Sequence, residues 1–273
     1  MKKRGLVILV ASVFLPKHLR APIGLIYSFA RQADDFADEG DLTIAQRLAL
    51  LDGFKDELDL LRAYIKPRTE FFNTLGAMIN AKKLPYDLFY DLLDAFSQDV
   101  VKTRYANYAE VIDYCRRSAN PIGRLLLHLY GEANANNNAL SDNICTALQI
   151  INFLQDIAID FKKNDGKQRI YMCQDELKAF GITESQIAQQ LADERWQAFM
   201  QFNCQRVSAL MKSGKPLGRI LKGRIGFEMR LVIAGGERII AKINAVNGDV
   251  FHRRPTLNAW DWCIVFTKAV CRL

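Results

Sequence analysis

The segment that most constrains the fold is a helix near the middle of the chain. From Ala147 the sequence reads ALQIINFLQDIAIDF, which is apolar almost all the way around a helix. Within it, Gln149, Asn152, Asp156 and Asp160 are spaced three, four and four residues apart and form one polar stripe. A helix of this composition is buried on most of its circumference. The chain is therefore expected to fold around it.

The rest of the sequence favours helices as well. Apolar residues recur at spacings of three and four, and strand-like alternation is scarce. The tract GEANANNNAL is predicted to be a loop, with Ser141 as the N-cap of the next helix. Helices are predicted over residues 21–40, 42–64, 71–81, 85–99, 108–130 with a break at Asn120-Pro121, 183–212, 217–244 and 258 to the end. No linker divides the chain, so one all-α domain over residues 1–273 is expected.

Composition argues against several classes of protein. The six cysteines are scattered without a CxxC pair, which argues against zinc and for a reducing compartment. The net charge of +7 comes from dispersed residues without a nucleic-acid-binding motif, so no nucleic acid partner is expected. The start, MKKRGLVILVASVFLP, has the outline of a signal peptide but is predicted to be an ordinary buried first helix.

A second acidic segment lies about 120 residues before the first. RQADDFADEGD follows the apolar run PIGLIYSFA, so its carboxylates fall at the C-terminal end of a predicted helix. Acidic groups there are unfavourable by a few tenths of a kcal/mol each. On this helix Tyr27, Arg31, Asp34 and Asp38 form a stripe with spacings of four, three and four.

The two helices each carry Asp-x-x-x-Asp, as Asp34 with Asp38 and Asp156 with Asp160. Aspartate oxygens suit Mg²⁺, which also takes water and substrate phosphate as ligands. If the two pairs faced each other, they would bind one diphosphate through bridging metal ions at the mouth of an apolar cavity. The alternative for either pair alone is an acidic solvent-exposed helix face.

At these residues the sequence resembles the squalene/phytoene synthase family. YSFARQADDFADEGD and QIINFLQDIAIDF resemble its two aspartate motifs, and GKQRIYMCQDELKAFGI and YCRRSANPIGRLLLHLYG resemble two further segments. The resemblance implies an isoprenoid synthase fold, a single helical bundle around a central apolar cavity. Residues 1–10 diverge from the family. SANPIG and NGDVFHRRP are most similar to the bacterial hydroxysqualene synthase branch.

The resemblance implies roles for individual residues. Asp34, Asp38, Asp156 and Asp160 would bind Mg²⁺ and, with Tyr114 beside the reacting carbons, form the catalytic set. The implied substrate-binding residues are Arg31, Gln149, Asn152, Arg169 and Tyr171, with Phe29 and Phe153 as candidate cation–π walls.

The implied reaction is Mg²⁺-dependent conversion of presqualene diphosphate to hydroxysqualene. Cytoplasmic location is expected, with peripheral contact at the inner face of a membrane because the positive balance suits an anionic surface. Two alternatives stay open: a squalene or presqualene diphosphate synthase that joins two farnesyl diphosphates, and a non-catalytic relative that acts in assembly or lipid binding. Oligomeric state is left open.

Overall fold

The computed structural model describes residues 16–162 and 168–271, and these residues form helices joined by loops. An isolated parallel bridge joins Tyr105 and Cys173. The predicted all-α class is confirmed. The helices are α1 (Lys17–Asp38), α2 (Ile44–Arg62), α3 (Glu70–Lys82), α4 (Asp87–Val101), α5 (Tyr108–Ser118), α6 (Asn120–Tyr130), α7 (Ala135–Phe161), α8 (Gln174–Ala179), α9 (Glu184–Ala188), α10 (Glu194–Gly214), α11 (Leu217–Ile220), α12 (Gly223–Ala245) and α13 (Ala259–Val270).

Three predicted boundaries differ from the structure. Helix α7 begins at Ala135, so six of the ten residues of the predicted loop GEANANNNAL are helical and Ser141 is a buried residue inside the helix. The predicted helix over 183–212 is two helices, α9 and α10, and Asp193 caps the second by accepting a bond from the Trp196 N–H over 3.0 Å. The predicted helix over 217–244 is interrupted before Gly223, whose φ of +59° suits glycine.

The chain divides into two compact units. The first unit consists of Pro16–Lys102 and Tyr114–Asn138, and the second includes Thr103–Asp113 and the chain from Ala139 onward. The prediction of one domain over residues 1–273 stays a prediction, and the divergent residues 1–10 and the proposed first helix lie outside the described residues.

In the first unit, helix α1 packs against α2, α3, α4 and α6. Phe29 of α1 is fully buried among aromatic rings, with centroids 5.6 Å from Phe54, 6.2 Å from Phe72 and 5.2 Å from Phe89. The contacts with Phe72 and Phe89 are edge-on, and such contacts stabilise aromatic cores beyond area burial alone. This cluster fixes the helix that carries the first aspartate motif.

In the second unit, helix α12 packs against α10, α11 and α13. Helix α7 is, among the described residues, long and apolar enough to cross a membrane, but 61% of its most apolar window is buried inside the protein. The core helix of a globular protein has the same properties. The burial agrees with the expectation that the chain folds around this helix.

Candidate active site

The first aspartate motif lies in the last turns of α1 and is organised by one arginine. Arg31 Nη1 is 3.1 Å from Asp34 Oδ2, and its Nη2 is 2.6 Å from Asp35 Oδ1 and 2.7 Å from Glu39 Oε1. These carboxylates raise the pKa of Arg31 against the opposing effect of burial. Burial raises the pKa of Asp35, while Arg31 lowers it. The acidic cluster is therefore held together by a cation on its own helix.

A second arginine compensates the unfavourable helix end. Arg47 of α2 is buried, and its guanidinium donates to the carbonyls of Phe36 at 3.0 Å, Glu39 at 2.9 Å and Gly40 at 2.7 Å. These carbonyls are otherwise left without helical partners, and a cation is favourable at the negative end of the helix. Arg47 thus allows α1 to end in a run of acidic residues.

The second aspartate motif contacts the loop between α12 and α13. Arg254 Nε donates to Asp156 Oδ1 over 2.7 Å, and the neighbouring Gln155 Nε2 donates to the Pro255 carbonyl over 2.7 Å. The Asp156 side chain is 15% exposed, so its charge is compensated by Arg254 instead of water alone. Two consecutive residues of α7 therefore hold two consecutive residues of the loop.

The predicted polar stripe lies on the more open side of α7. Asn152 is exposed, Gln149 and Asp156 are half-buried, and Asp160 at the end of the stripe is buried at 4% exposure. The flanking residues Ile151, Phe153 and Leu154 are buried. The observed burial agrees with a helix whose most exposed residue in this segment, Asn152, lies on the predicted stripe, while the end of the stripe at Asp160 is enclosed.

The segment after α7 brings three predicted residues together. The Phe153 and Tyr171 rings stack with centroids 4.0 Å apart and planes 6° apart. Arg169 is 1% exposed, donates through Nη1 to the Tyr171 hydroxyl over 3.1 Å, and lies 5.7 Å from the Tyr171 ring centroid. A buried guanidinium beside two aromatic rings is an arrangement that suits an anion joined to an apolar chain.

This segment is fixed by the stretch before α5. The Ile170 N–H donates to the Thr103 carbonyl over 3.0 Å, and the Gln174 N–H donates to the Tyr105 carbonyl over 2.8 Å. The Tyr105 ring also stacks with Tyr171, with centroids 5.6 Å apart. Tyr171 is therefore held by backbone pairing and by rings, which limits its motion.

Two further predicted residues, Tyr114 and Phe29, lie in the first unit. Tyr114 is buried, and its hydroxyl donates to Asp99 Oδ2 over 2.6 Å. Asp99 is itself only 8% exposed. Phe29 belongs to the aromatic cluster described above, which accounts for its burial by packing. Contacts of Tyr114 and Phe29 with a substrate stay predictions, as does a meeting of Asp34 with Asp156 at one diphosphate.

Carboxylates such as those of the two aspartate motifs are donors that suit Mg²⁺, and binding of the ion by these aspartates stays a prediction. Asp34 forms an ion pair with Arg31 and Asp156 forms one with Arg254, so each of these carboxylates has a cation as partner. Within the described residues, no three His, Cys, Asp or Glu side chains are grouped closely enough to enclose a metal ion. Aspartate pairs that leave further positions to water and phosphate are the kind of donor set that Mg²⁺ uses.

Sequence reasoning missed three residues of this region. Arg254 stands in the segment NGDVFHRRP, where its position before a proline gave no indication of contact with α7. Asp99 and Arg47 lie on amphipathic helices where a charged residue is ordinarily solvent-exposed. Contacts between residues far apart in sequence leave no periodic pattern, so these three residues become apparent only in the folded structure.

Comparison with known proteins identifies the class of this chain. Residues 6–261 match the family model for squalene/phytoene synthase. The chain therefore belongs to the squalene/phytoene synthase family, a class of enzymes that act on prenyl diphosphates.

Individual relatives narrow the comparison. The chain is 33% identical over 229 residues to a hydroxysqualene synthase of Sinorhizobium fredii, covering 84% of this chain and 75% of the relative. It is 35% identical over 226 residues to a hydroxysqualene synthase of Rhodopseudomonas palustris, covering 82% of this chain and 74% of the relative. A crystal structure of squalene synthase HpnC from Alicyclobacillus acidocaldarius is similar with a TM-score of 0.79 at 33% identity, covering 87% of this chain and 88% of that chain. These similarities confirm the predicted isoprenoid synthase fold.

Proposed function

We propose that this chain converts presqualene diphosphate to hydroxysqualene. The observation that carries the proposal is its similarity, at 33–35% identity over more than four fifths of the chain, to two hydroxysqualene synthases. Chemistry on a diphosphate is supported by two aspartates that each pair with an arginine, Asp34 and Asp156. It is also supported by the buried Arg169 beside Tyr171. Both aspartate motifs are intact, which argues against a non-catalytic relative.

The reaction balances without a reductant. The carbon–oxygen bond to diphosphate breaks, and the electron pair leaves with the diphosphate. The substrate carbocation rearranges, water forms the new carbon–oxygen bond, and the proton that this water loses passes to solvent. The sum is presqualene diphosphate plus water giving hydroxysqualene plus diphosphate.

Residues of this chain would serve each stage. Arg31 and Arg169 would hold the diphosphate oxygens through charge-assisted hydrogen bonds. Asp34, Asp38, Asp156 and Asp160 would hold Mg²⁺, which when bound supplies a Lewis acid for the leaving diphosphate. Phe153, stacked on Tyr171, would present an aromatic face to the cation and limit the access of water.

The test is an isotopic product assay. Purified protein is incubated with presqualene diphosphate and Mg²⁺ in H₂¹⁸O without NADPH, and the triterpene is identified by mass spectrometry. We expect an alcohol that has gained one ¹⁸O. Formation of a hydrocarbon only when NADPH is added would contradict the proposal.

Squalene formation is the second candidate, because the similar crystal structure at 33% identity is described as a squalene synthase. The same assay separates the two by the product and by its dependence on NADPH. Protein supplied with farnesyl diphosphate alone tests the third option, presqualene diphosphate synthesis, for which a 32% identical relative from Sinorhizobium fredii is named.

A further inference from the structure

Helix α13 presents an uncharged face to solvent. Its residues Ala259, Trp260, Cys263, Phe266, Thr267 and Val270 are all exposed, with Trp260 at 71%, Phe266 at 48% and Val270 at 54%. At about 100° per residue these six positions fall within an arc of roughly 120°. We call this arc the α13 face. Exposed aromatic residues in a contiguous group mark an interaction surface more often than scattered ones do.

The main anchors of α13 lie on the side opposite the α13 face. The opposite side of α13 places Val265 and Ala269 in a core cluster with Leu231 and Ala234 of α12. Asp261, 1% exposed, also forms ion pairs with Arg238 and Lys242 of α12. The helix is therefore anchored mainly by its inner side, and the exposed surface of Trp260 and Val270 on its outer side is available for a partner.

A basic pocket borders the α13 face. The pocket has a volume of about 450 Å³ and is lined by Arg219, Leu221, Lys222, Gly223 and Arg230 at the first turn of α12. Arg230 connects it to α13: Nε donates to the Ala269 carbonyl over 2.7 Å, and Nη1 donates to the Gly218 carbonyl over 2.8 Å.

Ring contacts and ion pairs extend this connection. The Arg230 guanidinium carbon lies 5.8 Å from the centroid of the Phe227 ring. Phe227 in turn packs edge-on against Phe266, with ring centroids 5.5 Å apart. Two nearby carboxylates already form ion pairs with basic residues. Asp261 is paired as described, and Glu237 is 3.0 Å from Lys215 and 3.6 Å from Lys268. The surface beside the apolar arc therefore has an excess of positive charge, to which exposed Arg224 adds.

We infer that the α13 face and the basic pocket together dock the protein on an anionic lipid bilayer. Tryptophan and phenylalanine enter the headgroup region of a bilayer, and each lysine or arginine near its negative surface adds attraction. The pocket provides an anion-binding concavity for a lipid phosphate. The inference extends the proposed function, because a bilayer is where a triterpene precursor and its product dissolve.

A second copy of the chain fits this surface less well. A symmetric pair formed through two α13 faces would bring the two basic pockets toward each other, because a two-fold interface apposes the same patch from both copies. Like charges apposed in an interface oppose association. Charge complementarity therefore favours an anionic surface over a copy of the same protein.

The test measures vesicle binding of the full chain by co-sedimentation. Vesicles of phosphatidylcholine alone are compared with vesicles that also contain phosphatidylglycerol, at low and at high salt. We expect binding to the anionic vesicles, weakening with salt. Trp260→Ser combined with Phe266→Ser, or Lys222→Gln combined with Arg224→Gln, should lower the affinity at least roughly tenfold.

Matched controls remove exposed groups elsewhere. Tyr64→Ser with Leu191→Ser removes side chains that are 91% and 50% exposed, and Lys66→Gln with Lys82→Gln removes two exposed charges. These variants should bind as the unchanged protein does. Circular dichroism and the melting temperature establish that each variant is folded, and Trp260→Ser alone replaces the double serine variant if the double variant is not.

Three outcomes would overturn the inference: no binding to anionic vesicles, equal loss of binding in the controls, or a concentration-dependent dimer that the α13 variants dissociate. Binding is measured without substrate, so its failure leaves the product assay untouched. Conversely, the α13 variants should keep their turnover of detergent-dispersed presqualene diphosphate even when they no longer bind vesicles.

Discussion

Arg254 and Asp156, 98 positions apart in sequence, form a hydrogen-bonded ion pair in which Nε donates to Oδ1 over 2.7 Å. The pair joins the loop before α13 to the polar stripe of α7. Because Arg254 lies against Asp156, any Mg²⁺ that binds this carboxylate has to share it with Arg254 or displace the guanidinium. This competition can be measured.

We expect Arg254→Gln to increase the stabilisation of the protein by Mg²⁺ in the absence of diphosphate. Removing the guanidinium frees Asp156 and removes a repelling charge. A gain of about 1 kcal/mol in metal binding raises the melting temperature by roughly 2–4 °C for a chain of this size. The measurement is thermal unfolding with and without Mg²⁺.

Arg253→Gln is the matched control for this experiment. Arg253 is the preceding residue and is exposed, and no ion pair of its side chain is found within the described residues. It should respond to Mg²⁺ as the unchanged protein does. An identical Mg²⁺ response in the two variants would mean that Asp156 does not bind the metal.

Asp156→Asn tests the second aspartate motif. The change keeps the shape of the side chain but removes a negative charge that would ligate Mg²⁺, so turnover of presqualene diphosphate should fall ~100-fold or more. Stability should change by about 1 kcal/mol or less, because Asn can still accept the bond from Arg254. Steady-state product formation and urea unfolding provide the two measurements.

Asp142→Asn removes a charge from the same helix, at a position roughly 21 Å from Asp156 along the helix axis. It should keep its turnover, since it lies far from the motif. Near-normal activity of Asp156→Asn, or a comparable loss in Asp142→Asn, would show that the motif has no role of its own and that the proposed mechanism is wrong.

Tyr114 and Asp99 form a buried pair whose energetics can be separated from catalysis. Either Tyr114→Phe or Asp99→Asn breaks or weakens a 2.6 Å hydrogen bond inside the first unit and should cost about 1–3 kcal/mol. The double variant should lose less than the sum of the two, because the lost interaction is counted once. Urea unfolding of the four proteins gives the coupling free energy.

Tyr86→Phe serves as the reference for loss of a hydroxyl. The Tyr86 hydroxyl bonds Asn80 over 3.2 Å near the surface, so its removal should change stability by about 0.5 kcal/mol or less. Tyr114→Phe could instead change stability as little as Tyr86→Phe does, with additive effects in the double variant of Tyr114 and Asp99. The coupling free energy of the buried pair would then be zero, which would contradict the prediction.

The sequence was sufficient to predict the helices and the two motifs because both are visible as regular residue spacings over short stretches of chain. The spacing of apolar residues predicted α2 over 42–64, and the observed helix, Ile44–Arg62, begins with a capping box between Thr43 and Gln46. The same spacing predicted α1 over 21–40, against Lys17–Asp38 observed. Ends differ by two to four residues because capping, and not periodicity, decides them.

What the sequence did not predict depends on contacts distant along the chain. Arg47, which bonds three carbonyls at the end of α1, is buried at a position that reads as the polar side of an amphipathic helix. The split between α9 and α10 depends on the Asp193 cap and on Gln190, whose φ is +58°. A single charge or a single left-handed residue has no periodicity, so these features follow from the assembled fold.

Glu228 provides the last prediction, a dependence of stability on pH. It lies on α12, is 6% exposed, and both of its carboxylate oxygens are buried without a hydrogen-bond partner among the described residues. Burial raises the pKa of Glu228 to about 7 from an ordinary value of 4.5. Between these two values the folded state holds a proton that the unfolded state has released, so stability falls as pH rises through the window and stays lower above it.

Glu228→Gln keeps the neutral form at every pH. It should therefore leave stability nearly unchanged at about pH 5 and raise it by about 1–3 kcal/mol at about pH 8, measured by urea unfolding. Glu237→Gln is the control: it lies on the same helix, but its carboxylate is 3.0 Å from Lys215, so its loss should be neutral or slightly destabilising at pH 8. At about pH 8 the Glu228 substitution is therefore expected to raise the free energy of unfolding, and the Glu237 substitution is not, because the first carboxylate is buried alone and the second is paired with a lysine. A stability difference between Glu228→Gln and the unchanged protein that is the same at both pH values would contradict a raised pKa at this site.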